Sequence, residues 1–478
     1  MRPGQRADLV HAPLADWAQC RGGTIAIEQG QQTLTFAQLH DAVTQRANAL
    51  RHAQAPATVL VNPALPIADR LVDFLGIVAS GRCAAVGDAD WPYPVRQAVL
   101  AALPHAAANP PEPQPSSAFY VGYTSGSTGT PKGFARHHQS WTSSFRACLE
   151  AFGPQASGRI LAPGSDSHSL FLFGMLLGLW SGAGVMVQTR FSAAAVLETL
   201  RHGHTPCLVA VPSQLVLMLE LAKRRGLKPI EGVRLIMVSG SRWIRARTPE
   251  LRVLFPGARI VEFYGASETS FIAWMDSDES TPASVVGRPF DNVELQIRDP
   301  DSDGVGLIYV RSPMLFTDYV GGADDDTAAL RDGEWLCVRD LGYLNAQGQL
   351  CLAGRQNRML VTKGKNLFPE ELEAVLANHP AVANASVHGV DDPLRGLQVV
   401  AILQWNPELS VASPTSLHLC AWCRQSLEAY KSPRQYFVCQ NWPLTASGKT
   451  DHRALAQSLQ SHGDGTSHPD LTCLTPLR

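Results

Sequence analysis

The chain has 478 residues, enough for about two to four domains and a large core, so neither a metal nor disulfides are needed merely to fold. Hydrophobic residues make up 45% and charged ones 17%, a globular balance that excludes a largely disordered chain. A formal net charge of −2 leaves no basic footprint for nucleic acid as the main partner. Only seven of the 40 basic residues are lysines, so each lysine stands out against arginine.

Residues 1–20 lack the apolar stretch of a signal peptide, and ten cysteines without one point to reduced thiols in the cytoplasm. Residues 34–50 read as a strand end feeding an amphipathic helix, residues 71–86 as a helix then a strand, and residues 104–117 as a surface linker. The uncharged run 167–189 has the length of a membrane span. Its four glycines and its lack of clear flanking anchors favour instead a buried helix followed by a strand at 185–187, and no membrane span is expected. Strands at 208–211, 235–238 and 260–264 then alternate with helical patterns, which predicts α/β units with a parallel sheet. Short strands between Gly/Asp turns from 285 to 352 predict a small β-barrel. Beyond Arg358 a compact mixed segment follows, with a helix at 369–378 and strands near Ala385 and Val399. His418, Cys420 and Cys423 form a single C-x-x-C cluster. Their helical spacing with Leu427 predicts a core-facing stripe, with zinc or redox chemistry the alternative. The Ser/His/Gly/Asp-rich residues 460–478 read as a disordered tail.

The strongest chemical signal is Tyr123-Thr-Ser-Gly-Ser-Thr-Gly-Thr-Pro-Lys-Gly133. Its glycines and hydroxyl residues make a loop of N–H and O–H donors able to wrap phosphates, and Lys132 adds a mobile point charge. It is not a Walker loop, and Gly448-Lys449-Thr450 fails that pattern too, because Pro443 stands where its first glycine is required.

This loop resembles the phosphate-binding signature of the adenylate-forming superfamily of AMP-binding enzymes: acyl- and aryl-CoA synthetases, peptide-synthetase adenylation domains and luciferases. Further segments resemble the family's motifs in order and approximate spacing: Tyr264-Gly-Ala-Ser-Glu268, Arg339-Asp-Leu-Gly342, the run from Gly354-Arg355 to Gly364-Lys-Asn-Leu-Phe-Pro-Glu-Glu-Leu-Glu373, and Pro443-Leu-Thr-Ala-Ser-Gly-Lys449. The resemblance implies an α/β fold. Its large N-terminal domain (1–356) would hold β-sheets with flanking helices plus the small barrel. A small, mobile α+β C-terminal domain (357–459) would carry the catalytic lysine, before the tail.

Residue roles follow from the resemblance. Thr124, Ser125, Gly126, Ser127, Thr128, Gly129, Thr130 and Lys132 would hold the β- and γ-phosphates of ATP, with Thr128, Glu268 and Lys449 acting on the reaction. Glu268 would be the Mg²⁺ ligand, since a carboxylate beside a nucleotide suits a cation that shares phosphate oxygens. Tyr264 would face adenine, with Gly240, Ser241 and Arg242 on its other side and Gly265 and Ser267 close by. Asp340 would accept the ribose hydroxyls beside Arg355. His168, with Ser241 and Gly265, would border the carboxylate pocket, while Leu170, Phe171, Phe173 and Met175 would line an acyl site or fill the core. The position that holds an α-amine in amino-acid-activating relatives falls at Ser169, with Asp166 three residues away, which disfavours an α-amino acid. Asn357 stands where the family has a charged hinge residue. Lys363, Gly364 and Lys365 would meet the thiol acceptor, the lysines either binding a CoA phosphate or remaining solvated.

The implied function is ATP-dependent activation of a carboxylic acid to acyl-AMP, then thioester formation with CoA. One alternative acceptor is the phosphopantetheine arm of an acyl carrier protein. A second alternative is a regulatory protein that binds nucleotide without catalysis.

Overall fold

The computed structural model describes residues 8–124, 131–188, 190–320, 330–362, 365–392, 396–407, 414–427, 431–445, 448–463 and 474–477. Two compact units result. The first comprises Met1–Pro282, Val286–Leu295 and Tyr309–Val338; the second comprises Ala283–Val285, Gln296–Ile308 and Arg339–Arg478.

In the first unit, five parallel strands lie side by side in the order Val185–Val187, Ile160–Ala162, Cys207–Ala210, Leu235–Val238 and Arg259–Ala266. Cys207–Ala210 and Leu235–Val238 are buried at every position, as parallel strands covered on both faces must be. Leu208, Ala210 and Ile236 pack with Leu215, Met218 and Leu219 of the helix Pro212–Arg224 and Leu251 of the helix Thr248–Leu254. The expected alternation of strand and helix is therefore present. The uncharged run becomes the helix Ser169–Trp180 and the strand Val185–Val187. That helix is buried almost all round, which explains its uniform apolarity. No described helix is long and apolar enough to cross a membrane.

A second sheet in this unit runs Thr58–Leu60, Cys83–Ala85, Ala118–Thr124, Lys132–His137 and Asp318–Val320. The first three strands are parallel and the last two antiparallel to their neighbours. The predicted N-terminal helix spans Phe36–His52, started by a capping box. Thr35 Oγ1 accepts from the Gln38 N–H at 3.3 Å, and Gln38 Oε1 accepts from the Thr35 N–H at 2.9 Å.

The second unit ends in a four-stranded sheet ordered Val382–Asp392, Gly396–Trp405, Gln435–Cys439 and Leu474–Pro476. The two-residue period of Gly396–Trp405 sorts its side chains. Val399, Ala401 and Leu403 pack with Leu372 and Leu376 of the helix Pro369–Ala377 and with Leu419 and Cys423 of the helix Ser416–Arg424. Val400 and Ile402 pack on the other face with Leu455 and Leu459 of the helix His452–Gly463. Cys423 thus lies in the core stripe.

Of the residues expected in the tail, 460–463 complete a helix, and Leu474–Pro476 pairs with Phe437–Cys439. Average composition hides this short strand, whose Leu474 fills the cluster of Phe437, Leu455 and Leu459. The compact units part near Val338. Much of the expected barrel, the strand Leu350–Arg355 included, belongs to the second unit, where it pairs with residues 340–344.

Candidate active site

The phosphate-type loop joins two strands whose register brings Thr124 opposite Lys132 and Tyr123 opposite Gly133. Ser125, Gly126, Ser127, Thr128, Gly129 and Thr130 lie outside the described residues, as does the Thr124 side chain.

Glu268 occupies a tight turn between the antiparallel strands Arg259–Ala266 and Ser270–Asp276, which close with Ala266 opposite Ser270. Thr269 Oγ1 accepts from the Ala266 N–H at 3.0 Å, tying the turn to itself. Gly265 is obligatory there, because a Cβ would lie 1.7 Å from the Ser270 carbonyl oxygen. The turn is held from outside by Arg136 of the strand Lys132–His137. Arg136 donates to the Ser267 carbonyl at 2.7 Å, to Ser270 Oγ at 2.7 Å and to the Met314 carbonyl at 2.6 Å. It is only 1% exposed. Burial pushes its guanidinium down to about 9, with Tyr120 and Glu268 acting the other way, so it stays charged near neutrality. The Phe316 N–H donates to the Glu268 carbonyl at 2.7 Å, and the Tyr319 hydroxyl donates to Glu268 Oε1 at 2.9 Å. Lys132 Nζ sits 3.6 Å from the centre of the Tyr319 ring.

The carboxyl ends of the parallel strands supply the next residues, the edge where open α/β sheets place ligands. Val238 is in register with Glu262, so Gly240, two residues beyond, is level with Tyr264. Gly240 has φ +92°, a conformation that favours glycine, and a Cβ would lie 3.1 Å from Val211. Ser241 and Arg242 are exposed beside it. His168 caps the helix Ser169–Trp180, its Nδ1 accepting from the Leu170 N–H at 3.3 Å. Leu170, Phe171, Phe173 and Met175 are all buried, and Phe173 packs on Trp141, Phe145 and Phe271, which favours core filling. Asp166 is buried against Arg70 at 3.0 Å, and Ser169 Oγ faces the Tyr120 hydroxyl at 3.4 Å. The nearby carboxylate is thus already committed to an arginine.

In the second unit, Asp340 and Arg355 stand opposite each other in a hairpin, Arg355 Nε 3.3 Å from Asp340 Oδ1. The Asp340 side chain is 12% exposed and that of Arg355 63%, so the carboxylate is fixed and the guanidinium lies over it at the surface. Asn357 lies in the short 3₁₀ turn Gln356–Arg358, its side chain outside the description. Lys363, Gly364 and the Lys365 side chain also lie outside it. Lys449 is exposed on a turn closed by the Leu444–Thr450 bridge. The Thr445 N–H donates to the Lys449 carbonyl at 2.7 Å, and the Lys449 N–H donates to Thr445 Oγ1 at 3.2 Å. Asp451 then caps the following helix through the Arg453 and Ala454 N–H groups.

Residues 57–320, more than half of the chain, match the AMP-binding enzyme family, and residues 371–449 match the AMP-binding enzyme C-terminal domain. The chain belongs to the AMP-binding enzyme family. Among relatives of this AMP-binding enzyme is the uncharacterized acyl–CoA ligase YhfT of Bacillus subtilis (strain 168), 36% identical over 76% of this chain and 73% of the relative. The 2-succinylbenzoate–CoA ligase of Arabidopsis thaliana is 28% identical over 72% of this chain and 68% of its own. Among solved structures, the O-succinylbenzoate coenzyme A synthetase MenE of Bacillus subtilis, in complex with ATP and magnesium ion, superposes with a TM-score of 0.79. It is 25% identical and covers 93% of this chain and 98% of its own.

Several supports of this AMP-binding enzyme's site escape the sequence motifs. Arg136 carried a faint signal: it shares the inward face of its strand with buried Phe134, and a buried guanidinium demands acceptors. Tyr319 carried none, since its place depends on pairing with residues 133–135 far upstream. Arg358, next to the expected hinge, binds Glu370 at 3.0 Å and Glu373 at 2.6 Å. Its Nη1 also lies 3.4 Å from His452 Nε2. Ser386 Oγ links His452 Nδ1 at 2.7 Å and His388 Nε2 at 2.8 Å.

Proposed function

We propose that this AMP-binding enzyme is an ATP-dependent acid–thiol ligase, joining a carboxylic acid to CoA through an acyl-adenylate. The observation that carries the reading is the grouping of Glu268, Tyr319 and Lys132 where the phosphate-type loop begins and ends. The glycine-lined strand edge at Gly240 and Tyr264 lies in the same unit and suits a flat base.

Glu268 is a half-buried carboxylate on a rigid turn, and among the described residues no three His, Cys, Asp or Glu side chains gather to cage a metal. One carboxylate shared with phosphate oxygens fits Mg²⁺, which keeps its waters and avoids all-protein cages. Glu268 would hold the Mg²⁺, whose positive charge would supply neutralisation of the departing pyrophosphate.

The phosphate-type loop and Lys132 hold the β- and γ-phosphates, Tyr264 and Gly240 receive adenine, and Asp340 accepts from the ribose hydroxyls. His168 borders the acid. A carboxylate oxygen of the acid attacks the α-phosphorus as the bond to pyrophosphate breaks. Lys449, a slim ammonium on a long stem, steadies the negative charge on the α-phosphate and the acid. In the second step the CoA sulfur attacks the acyl carbonyl, AMP leaves, and the thiol proton passes to solvent. Hinge motion at Asn357 would exchange Lys449 for the segment around Gly364, where a pantetheine arm enters. None of the nine described cysteines is in a disulfide, in keeping with work in the cytoplasm.

The test is acid-dependent ATP–pyrophosphate exchange with a panel spanning benzoate, 2-succinylbenzoate, anthranilate, octanoate and palmitate, followed by CoA addition. The reading expects at least one acid to drive exchange and CoA to convert it to a thioester. Acylation of a holo-carrier protein with CoA inert would move the acceptor. MgATP binding without exchange for any acid would leave a nucleotide-binding regulator.

A further inference from the structure

Among the described residues, Tyr319 both holds Glu268 and meets Lys132. Its strand, Asp318–Val320, lies antiparallel to Lys132–His137, with Tyr319 opposite Phe134 and Val320 opposite Gly133. Lys132 is therefore the diagonal neighbour of Tyr319 on the same face, close enough for an aromatic ring to reach. The phenol then touches two opposite charges at once. Its hydroxyl donates to Glu268 Oε1 at 2.9 Å, while its ring face lies 3.6 Å from Lys132 Nζ. Three residues earlier, the Phe316 N–H holds the Glu268 carbonyl at 2.7 Å, so one short stretch grips this glutamate by main chain and side chain.

We propose that Tyr319 is a positioning residue that sets Glu268 and Lys132 in one arrangement for a metal-bound triphosphate. The inference rests on the reading above, in which both residues meet the nucleotide. A hydroxyl donor fixed on Oε1 decides which carboxylate oxygen turns toward a cation. The electron-rich ring gives the ammonium a resting place beside the phosphate-type loop and holds it back from collapsing onto the carboxylate. A direct Lys132–Glu268 pair would spend the two charges that the nucleotide and its metal need. Phe316 in the same stretch is 2% exposed and packs inward, and Tyr319→Phe leaves that residue untouched.

The experiment is calorimetric binding of ATP with and without Mg²⁺ to the wild type, Tyr319→Phe, Tyr319→Leu, Glu268→Gln and the Tyr319→Phe/Glu268→Gln pair. Circular dichroism confirms that each variant is folded. Outer partners of metal ligands are typically worth about tenfold or more in metal affinity, so Tyr319→Phe should weaken Mg²⁺–ATP about tenfold and metal-free ATP less than about twofold. Tyr319→Leu also removes the ring under Lys132, so metal-free ATP should weaken as well, by about threefold. In the Glu268→Gln background the effect of Tyr319→Phe should vanish, because the two act as a unit. Folded Tyr319→Phe that binds Mg²⁺–ATP like the wild type, or loses both forms equally, would overturn the role. Normal acid-dependent exchange alongside that result would sink Tyr319 alone, whereas the predicted binding pattern without exchange for any acid would sink only the reaction.

Discussion

Glu268 and Lys449 show opposite ways of presenting a charged group. The glutamate rises from a turn braced by a buried arginine, a hydroxyl within the turn, a backbone N–H and a phenol. The lysine stands exposed on a small hairpin, held through its backbone by Thr445. A group that must meet the same phosphates in every turnover gains from pre-organisation. A group needed in only one half-reaction gains from a light mount that can be brought in and withdrawn. Losing the buried arginine beneath Glu268 should therefore cost stability, while losing the Lys449 side chain should cost chemistry alone.

The strongest way to break the comparison is to remove the brace. Arg136→Met leaves two carbonyls and two hydroxyls without their buried donor, so chemical denaturation should show a loss of about 3–5 kcal/mol. Arg136→Lys, which keeps the charge but not the fork, should fall between. A loss below about 1 kcal/mol would show that the turn stands by itself.

A smaller effect is expected in the second unit. Asp340→Asn keeps the shape but leaves Arg355 without its carboxylate, and the KM for ATP should rise about tenfold, worth about 1.4 kcal/mol. Its urea midpoint should hardly move, because Arg355 is largely exposed. A large stability loss with unchanged KM would make the pair structural.

The smallest effect concerns the histidines beside Arg358. Burial, reinforced by Arg358, holds His452 down to about 3 and His388 down to about 4, from an ordinary 6.5. Both are neutral in the fold near neutrality, whereas the unfolded chain takes up protons below about 6.5. Their contribution is complete above that pH and is lost as pH falls toward 4. The thermal midpoint should thus drop between pH 7 and pH 5, and the His388→Gln/His452→Gln variant should flatten that dependence. An unchanged slope in the variant would place the titrating groups elsewhere.

Most of the fold and the motif residues were legible in sequence because they depend on local pattern. The strands Cys207–Ala210 and Leu235–Val238 announce themselves as apolar runs between helices, and Gly265 and Gly240 fall where the backbone leaves no room for a side chain or turns to positive φ. What stayed hidden is set by long-range pairing. Tyr319 reaches Glu268 only after its strand joins that of Lys132, and Arg136 reveals its purpose only when residues 267–270 and 314 arrive around it. The strand Leu474–Pro476 was lost for a related reason, since three residues in a polar tail carry no periodic signal until Phe437 and Cys439 lie beside them.

The most direct measurement compares the two half-reactions in Lys449→Ala against the wild type, with an accepted acid for the first and supplied acyl-adenylate plus CoA for the second. Removing a charge that stabilises the transition state should slow adenylation by about a hundredfold or more. Thioester formation from the supplied adenylate should stay within about threefold, since the role proposed for Lys449 ends with the first step. If both half-reactions fall equally, Lys449 is not a group reserved for the first step, and the division between a braced nucleotide site and a delivered lysine is wrong.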